Sequence, residues 1–160
     1  MKKAVSLLKL TVVAMLLCTA CSQESVGELS TIESISVPEF EAQLLVKVNE
    51  HRASLGLSPL QNNAAAYQEA SSHNDYMIGR GNISHDNFEQ RASRIVLETF
   101  AKEVGENVAW NHATVNLALE GWLKSPPHKS TLEGAYTHTA ISIKKDSNGT
   151  LYYTQIFIQQ

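Results

Sequence analysis

The C-terminal part of the chain predicts a β-hairpin. Residues 139–144 and 151–158 carry mainly β-branched, aromatic and other apolar side chains, which is the composition of strands. The sequence Asp146-Ser147-Asn148-Gly149 lies between them and is typical of a hairpin turn. We therefore expect two antiparallel strands at this end of the chain.

The segment before the hairpin predicts mainly helices. Apolar residues recur at helical spacing from Phe40 to Leu55, Pro38 suits the first turn of that helix, and Gly56 ends it. The other predicted elements are a helix at 63–78 that ends at Gly79 and Gly81, helices at 88–97 and 113–124, a strand at 101–109, and a helical turn from Pro127 to Gly134. Helices first and an antiparallel hairpin last predict an α+β layered fold.

The N-terminus predicts export. Two lysines precede an apolar run at 4–17, which is too short to cross a bilayer and suits the core of a signal peptide. The run ends in Leu17-Cys18-Thr19-Ala20-Cys21, which resembles the lipobox of bacterial lipoproteins and implies acyl chains such as palmitate on Cys21. The alternative is a plain secretory signal with an accidental cysteine. The predicted division is a signal peptide at 1–20, a lipidated N-terminus and flexible tether at 21–37, and one domain at 38–160.

The charge balance excludes some partners. Removal of Lys2, Lys3 and Lys9 with the signal lowers the number of Lys and Arg from 13 to 10 against 16 Asp and Glu, so the mature net charge is −6. We therefore expect no nucleic-acid partner, and a membrane contact made through the lipid anchor. If Cys21 is lipidated, no cysteine remains for a disulfide, because Cys18 leaves with the signal.

A carboxylate and an amide interrupt the predicted strand at 101–109. Glu106 and Asn107 lie in Gly105-Glu106-Asn107-Val108-Ala109-Trp110, although strand interiors disfavour both residue types. His85 and His128 are the best candidates for neighbours of Glu106. The alternative is that Glu106 and Asn107 only satisfy backbone groups of a buried loop.

Five short motifs in this order resemble a known family. They are Val48-Asn49-Glu50-His51-Arg52, Ile83-Ser84-His85-Asp86, Gly105-Glu106-Asn107-Val108-Ala109, Trp122-Leu123-Lys124-Ser125-Pro126-Pro127-His128 and Tyr153-Thr154-Gln155-Ile156-Phe157. Together they resemble the CAP superfamily, or SCP domain, of cysteine-rich secretory proteins, antigen 5 and pathogenesis-related 1 proteins, and most of all its bacterial branch. The resemblance implies a three-layer α-β-α sandwich and a cleft lined by His85, Glu106 and His128. A second cleft glutamate of many members falls on Ser125 here.

Two imidazoles and one carboxylate could hold a divalent metal. The set His85, His128 and Glu106 with an open fourth position is the pattern of several catalytic zinc sites. Without a metal, Glu106 could orient a histidine or raise its pKa. Ser84 and Ser125 are poor candidates for a nucleophile, since serines beside loops and prolines are usually turn residues. Other residues are expected to be structural: His51 and Arg52 at a helix end, His73, His112 and His138, and Trp110 and Trp122 in the core.

The sequence is compatible with two functions. The first is a non-enzymatic binding module whose cleft takes a metal, a lipid-like ligand or a protein partner. The alternative is a metal-dependent hydrolase, a peptidase, in which Glu106 activates a metal-bound water. The usual His-Glu-x-x-His helix of metallopeptidases is absent from the sequence. Ser22 follows the lipobox cysteine instead of Asp, which favours the outer membrane if the cell has one.

Overall fold

The computed structural model describes residues 33–160. The predicted signal peptide, the lipobox and most of the predicted tether lie outside the described residues. The elements in chain order are β1 (Ile35–Ser36), α1 (Pro38–Ser54), β2 (Gln61–Asn62), α2 (Ala64–Arg80), α3 (Phe88–Thr99), β3 (Glu103–Trp110), α4 (Val115–Lys124), α5 (Pro126–Leu132), β4 (His138–Lys145) and β5 (Leu151–Gln159).

The helix ends follow local chemistry, with one exception to the prediction. Pro38 begins α1, and the side chains of Asn63 and Thr114 accept bonds from backbone amides in the first turns of α2 and α4. Gly81 ends α2 in the left-handed region at φ +61°, where a Cβ would be strained. Gly79 was expected to share this role, but it lies inside α2, and the helix continues to Arg80.

The sheet has the strand order β1-β4-β5-β3. Strand β2 also pairs with β4, on the same edge as β1 but at the other end of β4. The long pairs β4–β5 and β5–β3 are antiparallel, as is the short pair β1–β4, while β2 runs parallel to β4. Ile35 and Ser36 pair with Lys145 and Lys144, so sheet contacts begin inside the range 21–37 that the sequence assigns to the tether. Among the described residues, β3 forms one edge of the sheet.

Helices cover both faces of the sheet, and strand alternation decides which side chains meet them. On one face, Ile143 and Phe157 pack with residues of α1, α4 and α5 in the larger core. On the other face, Ile156 and Ile158 pack against alanines of α2 and Ile95 of α3. The α+β three-layer sandwich with a small antiparallel sheet is therefore confirmed. Within residues 33–160, no helix is both long enough and apolar enough to span a bilayer.

Arg52 connects α1 to the segment between α5 and β4. Its guanidinium is almost fully buried and donates to the carbonyls of Ser58, Leu132, Gly134 and Tyr136 at 2.9–3.3 Å. Arg52 lies in the last turn of α1, as the sequence predicted. Its side chain also satisfies carbonyls of the loop after α1 and of the segment from the end of α5 to β4, which buried polar groups require.

Candidate functional site

Glu106 and Asn107 lie in β3 at the sheet edge, and their side chains leave opposite faces of the sheet. Glu106 points toward the layer of α2 and α3, where it contacts Arg91. Asn107 points toward the other layer, where its Nδ2 donates to the carbonyl of His128 at 2.9 Å. Glu106 and Asn107 therefore each bind a different helical layer, one on each face of the sheet. The loop that carries His85 and helix α5, which carries His128, approach each other near this edge.

The Glu106 carboxylate is buried and accepts several strong hydrogen bonds. Nδ1 of His85 lies 2.8 Å from Oε1, while Nε and Nη2 of Arg91 donate to Oε2 at 3.0 and 2.8 Å. Nη2 of Arg91 is also 2.8 Å from Oε1. A fork-like contact of this kind fixes the orientation of a carboxylate. Glu106 is therefore a positioned anion with little capacity left for a further partner.

The charge state of Glu106 follows from these contacts. Burial by itself would raise the pKa of the carboxyl, but the bond from His85 and the positive charge of Arg91 outweigh it and lower the pKa below its ordinary value. Glu106 is thus ionised at neutral pH. Because a carboxylate only accepts, Nδ1 of His85 must carry the proton in this bond. The lone pair of a neutral His85 ring is then on Nε2.

His73 lies beside Glu106 and the loop of His85, although the sequence predicted only a structural role for it on its helix. Its Nε2 donates to the carbonyl of Ser84 at 2.8 Å and lies 3.9 Å from Oε1 of Glu106. Its Nδ1 is buried and has no hydrogen-bond partner among the described residues. Burial lowers the pKa of His73, against the opposing charge of Glu106. His73 is therefore a neutral, buried ring that holds the loop carrying His85.

His85 and His128 lie next to each other at the predicted cleft. Their ring centroids are 6.2 Å apart, and the His85 side chain is half-exposed. Burial, with a smaller contribution from the charge of His85, lowers the pKa of His128. The two histidines come from α5 and from the loop before α3, so the tertiary structure brings together all three residues that were expected to share a site.

The expected zinc set of two histidines and Glu106 does not fit. Both Glu106 oxygens are held by Arg91, and within residues 33–160 no three His, Cys, Asp or Glu side chains are arranged to hold a metal ion. Two imidazoles on one tetrahedral zinc have centroids roughly 5 Å apart, given Zn–N bonds of about 2.1 Å. His85 and His128 would need to approach by about 1 Å to share an ion at these bond lengths.

The two serines show no sign of a nucleophile. Ser125 precedes α5, and its side chain makes no capping bond to that helix. The Ser84 hydroxyl accepts from the amide of Asp86 at 3.3 Å, as a turn residue does. In the part of the chain that the structure describes, no histidine nitrogen is hydrogen-bonded to either hydroxyl. Ser125 lies three residues before His128 and remains a predicted cleft residue without a contact that defines a role.

Arg91 is the site residue that the sequence reasoning missed. It lies on the same stripe of α3 as Ile95, four residues later, and both are buried. A basic residue on an apolar helical stripe requires a buried anion as its partner. That pattern was visible in the sequence and could have directed attention to a carboxylate such as Glu106.

Gly105 allows the helical layer of α1, α4 and α5 to approach β3 closely. A Cβ at this position would lie 2.6 Å from the Tyr136 hydroxyl and 2.9 Å from Cγ2 of Thr131.

The indole of Trp122 donates to the carbonyl of Val108 at 2.8 Å and is buried, as predicted. Trp110, which was expected in the core, is instead 43% exposed at the end of β3.

Comparisons with known proteins show the family of this chain and its fold. The sequence profile of the cysteine-rich secretory protein family, CAP, matches residues 45–157. The uncharacterized membrane protein YlbC of Bacillus subtilis (strain 168) is 31% identical over 124 residues, which cover 75% of this chain and 34% of that protein. The chain therefore spans about a third of the length of this curated relative.

Solved structures show the same fold at low sequence identity. An outer surface protein of Borrelia burgdorferi has a TM-score of 0.72 at 19% identity, covering 81% of this chain and 98% of that one. An extracellular protein containing an SCP domain from Bacillus anthracis has a TM-score of 0.67 at 24% identity, covering 77% of this chain and 41% of that one. A cysteine-rich secretory protein from Staphylococcus aureus has a TM-score of 0.65 at 21% identity, covering 82% and 40% respectively.

Proposed function

Because this chain belongs to the CAP family of cysteine-rich secretory proteins, we propose that it is an extracytoplasmic binding module of the cell envelope and not an enzyme. Its cleft binds a divalent transition metal through His85 and His128, and the other coordination positions are left for a donor from a partner protein. Attachment to the membrane is through lipid on Cys21. The names of the relatives support the location, since they describe a membrane protein, an outer surface protein and an extracellular protein.

The contact between His85 and Glu106 is the observation that carries the metal proposal. A histidine that binds a metal usually donates its other ring N–H to a carboxylate, which fixes the ring and its tautomer. Nδ1 of His85 makes this bond at 2.8 Å, so Nε2 is the ligand atom. Glu106 is then an orienting group behind the ligand, in contrast to the role of ligand that the sequence predicted.

The same contacts argue against the hydrolase alternative. A carboxylate that activates a metal-bound water must be free to take its proton. The two oxygens of Glu106 already accept bonds from Arg91, and its lowered pKa makes it a weak base. Turnover of a peptide by the purified protein, abolished both by a chelator and by Glu106→Ala, would revive the hydrolase.

The test is calorimetric titration of the full chain with zinc. We expect His85→Ala and His128→Ala each to lower zinc affinity at least tenfold, because two imidazoles provide all the protein's ligands. Loss of an orienting partner typically costs 10- to 100-fold in affinity, so Glu106→Gln should weaken binding without abolishing it. His138→Ala, at the start of β4, is the matched control. Unchanged affinity in both cleft variants would refute the proposal.

A cavity outside the histidine cleft suits a lipid-like ligand better than the cleft does. A cavity of about 620 Å³ lies between α1 and α4, with Phe40, Val46 and Val115 in its wall and Lys47 beside them. Val46 is 55% exposed, so a ligand in this cavity would contact its apolar side chain directly. We propose fatty-acid binding here as a second function. Fluorescence of cis-parinaric acid should rise with the wild type and not with Val46→Asp. Val96→Asp on α3 is the control.

A further inference from the structure

A second cavity opens near the edge of the sheet that is opposite to the histidine cleft. Its volume is about 510 Å³, and Leu45 of α1, Tyr67 of α2 and Ile141 of β4 contribute to its wall. Among the described residues that line it, Glu41 is the one with a charge. The cavity thus joins an apolar wall, a strand and a single carboxylate, and it has no part in the function proposed above.

The strand that lines this cavity has an open stretch of backbone. The carbonyl of Thr139 accepts from Asn63, and that of Ile143 accepts from Val37, so both turn away from β5. Backbone groups alternate between the two sides of an antiparallel strand, so the N–H and C=O of Ile141 turn the same way. Pairing with β2 ends at Thr139, and pairing with β1 starts at Lys144. Among the described residues, the outward N–H and C=O of Ile141 therefore have no pairing partner, although the residue as a whole is only 5% exposed.

The open stretch has the dimensions of a short peptide. Thr139 and Ile143 are four residues apart, which is about 13 Å along a strand at about 3.3 Å per residue. An uncovered strand edge offers one donor and one acceptor at fixed spacing, and an extended peptide supplies the matching pair. The backbone at Ile141 therefore fits one peptide unit of a segment of about three residues.

The carboxylate of Glu41 has no ion-pair partner among the described residues. Its Oε1 accepts from the amide of Ile143 at 2.9 Å, and the Tyr67 hydroxyl lies 3.3 Å from Oε2 and 3.4 Å from Oε1. The nearby Lys144 donates to both oxygens of Asp75 at 2.7 Å instead. In residues 33–160 no basic side chain forms an ion pair with Glu41. A half-buried carboxylate that has no cation beside it favours the binding of a ligand that supplies a positive charge.

We infer that this cavity binds the free N-terminus of an extended peptide, with the α-ammonium group on Glu41 and the first peptide units on the open edge of β4 at Ile141. The two features need different parts of one ligand. An amine alone would leave the strand edge uncovered, and an internal peptide segment would leave Glu41 without its cation. A peptide N-terminus satisfies both, and Leu45 and Ile141 give its side chains apolar contacts.

The experiment uses the ¹⁵N-labelled full chain and two probes, trialanine and N-acetyl-trialanine. Trialanine should shift the amide signal of Ile141 in a saturable manner, and the acetylated peptide should bind at least tenfold more weakly. Glu41→Gln keeps an acceptor for the amide of Ile143 but removes the charge, so it should bring the two peptides to equal, weak affinity. The control is Glu39→Gln, an exposed position on the same helix, which should retain the wild-type preference.

Three results would overturn the inference. A missing shift at Ile141 with trialanine would exclude the strand edge, and equal affinity of the two peptides for the wild type would exclude recognition of the ammonium group. A preference that survives in Glu41→Gln would assign it to another residue. If Glu41→Gln does not fold, salt decides the matter in the wild type: raising NaCl from 50 to 500 mM should weaken trialanine and leave the acetylated peptide unchanged.

Discussion

Glu106 and Asn107 are sequence neighbours that hold opposite layers of the sandwich. The carboxylate of Glu106 binds His85 and Arg91 on one face of β3, and the amide of Asn107 binds the backbone of His128 on the other. One edge strand therefore sets the separation of the two cleft histidines. Their geometry depends on side chains that do not themselves face the cleft, so variants behind the cleft test the site most directly.

Arg91 should be far more important for stability than the other arginine ion pair of the same helix. Arg91→Ala leaves the buried Glu106 carboxylate without its cation, and breaking a buried pair in this way costs about 3–5 kcal/mol. Arg94 also forms a pair with a glutamate, Glu69, but the Arg94 side chain is 57% exposed. Arg94→Ala should therefore cost at most about 1 kcal/mol. Urea unfolding of both variants measures the difference, and similar costs would contradict the buried role of Arg91.

The unfolding free energy should fall as the pH drops from neutral. The folded-state pKa values of His73 and His128 are both lowered by burial, so the unfolded chain takes up these protons first, below about 6.5. Stability is then complete above that pH and is lost as the pH falls toward the folded pKa, by up to about 1.4 kcal/mol per pH unit for one proton. Glu106 also has a lowered pKa, and it adds a second loss at pH values below about 4.3.

Replacing His73 measures the contribution of this histidine to the first of these two effects. The amide of His73→Gln can still donate to the carbonyl of Ser84 but does not titrate, so the loss of stability between pH 7 and 5 should become smaller. His138→Gln, on β4, keeps His73 and should keep the wild-type slope. Denaturant unfolding at several pH values gives both slopes. A His73→Gln protein with an unchanged slope would assign the effect to another group.

The two tryptophans should respond differently to the same change. Trp122→Phe removes the indole N–H that donates to Val108 and leaves that buried carbonyl without its partner, at a cost of about 1–3 kcal/mol. Trp110→Phe, at a half-exposed position, should change stability by no more than about 0.5 kcal/mol. Thermal unfolding at one pH provides the comparison. Equal losses would mean that the indole bond contributes nothing beyond ring packing.

Lipid attachment can be tested with the two cysteines of the N-terminus. Cys21→Ser should abolish incorporation of labelled palmitate and release the protein from the membrane fraction, because acyl chains on this residue are the proposed anchor. Cys18→Ser is the matched control and should be labelled as the wild type is. If both variants remain membrane-bound and labelled, the lipobox interpretation fails and the plain secretory signal with another attachment takes its place.

The sequence alone was sufficient for the five helices and the three long strands, whereas the short strands β1 and β2 were not predicted and the three-layer order came from the family resemblance. The hairpin turn at Asp146–Gly149, the apolar periodicity of α1 and the stop at Gly81 are local signals, and each is confirmed within a few residues. Glu106 was also identifiable without a structure, since a carboxylate in an apolar strand needs a compensating partner. These features depend on chemistry between neighbouring residues, which a linear sequence displays directly.

The identity of that partner was decided by the tertiary structure. Arg91 and His73 lie 15 and 33 positions before Glu106, on two different helices, and only the packing of α2 and α3 on the sheet brings them to one carboxylate. With Arg91 in place, Glu106 changes from an expected metal ligand into the group that orients His85. The sequence determined which residues could react, and packing determined which lone pairs were still free, because hydrogen bonds over such separations depend on the fold as a whole.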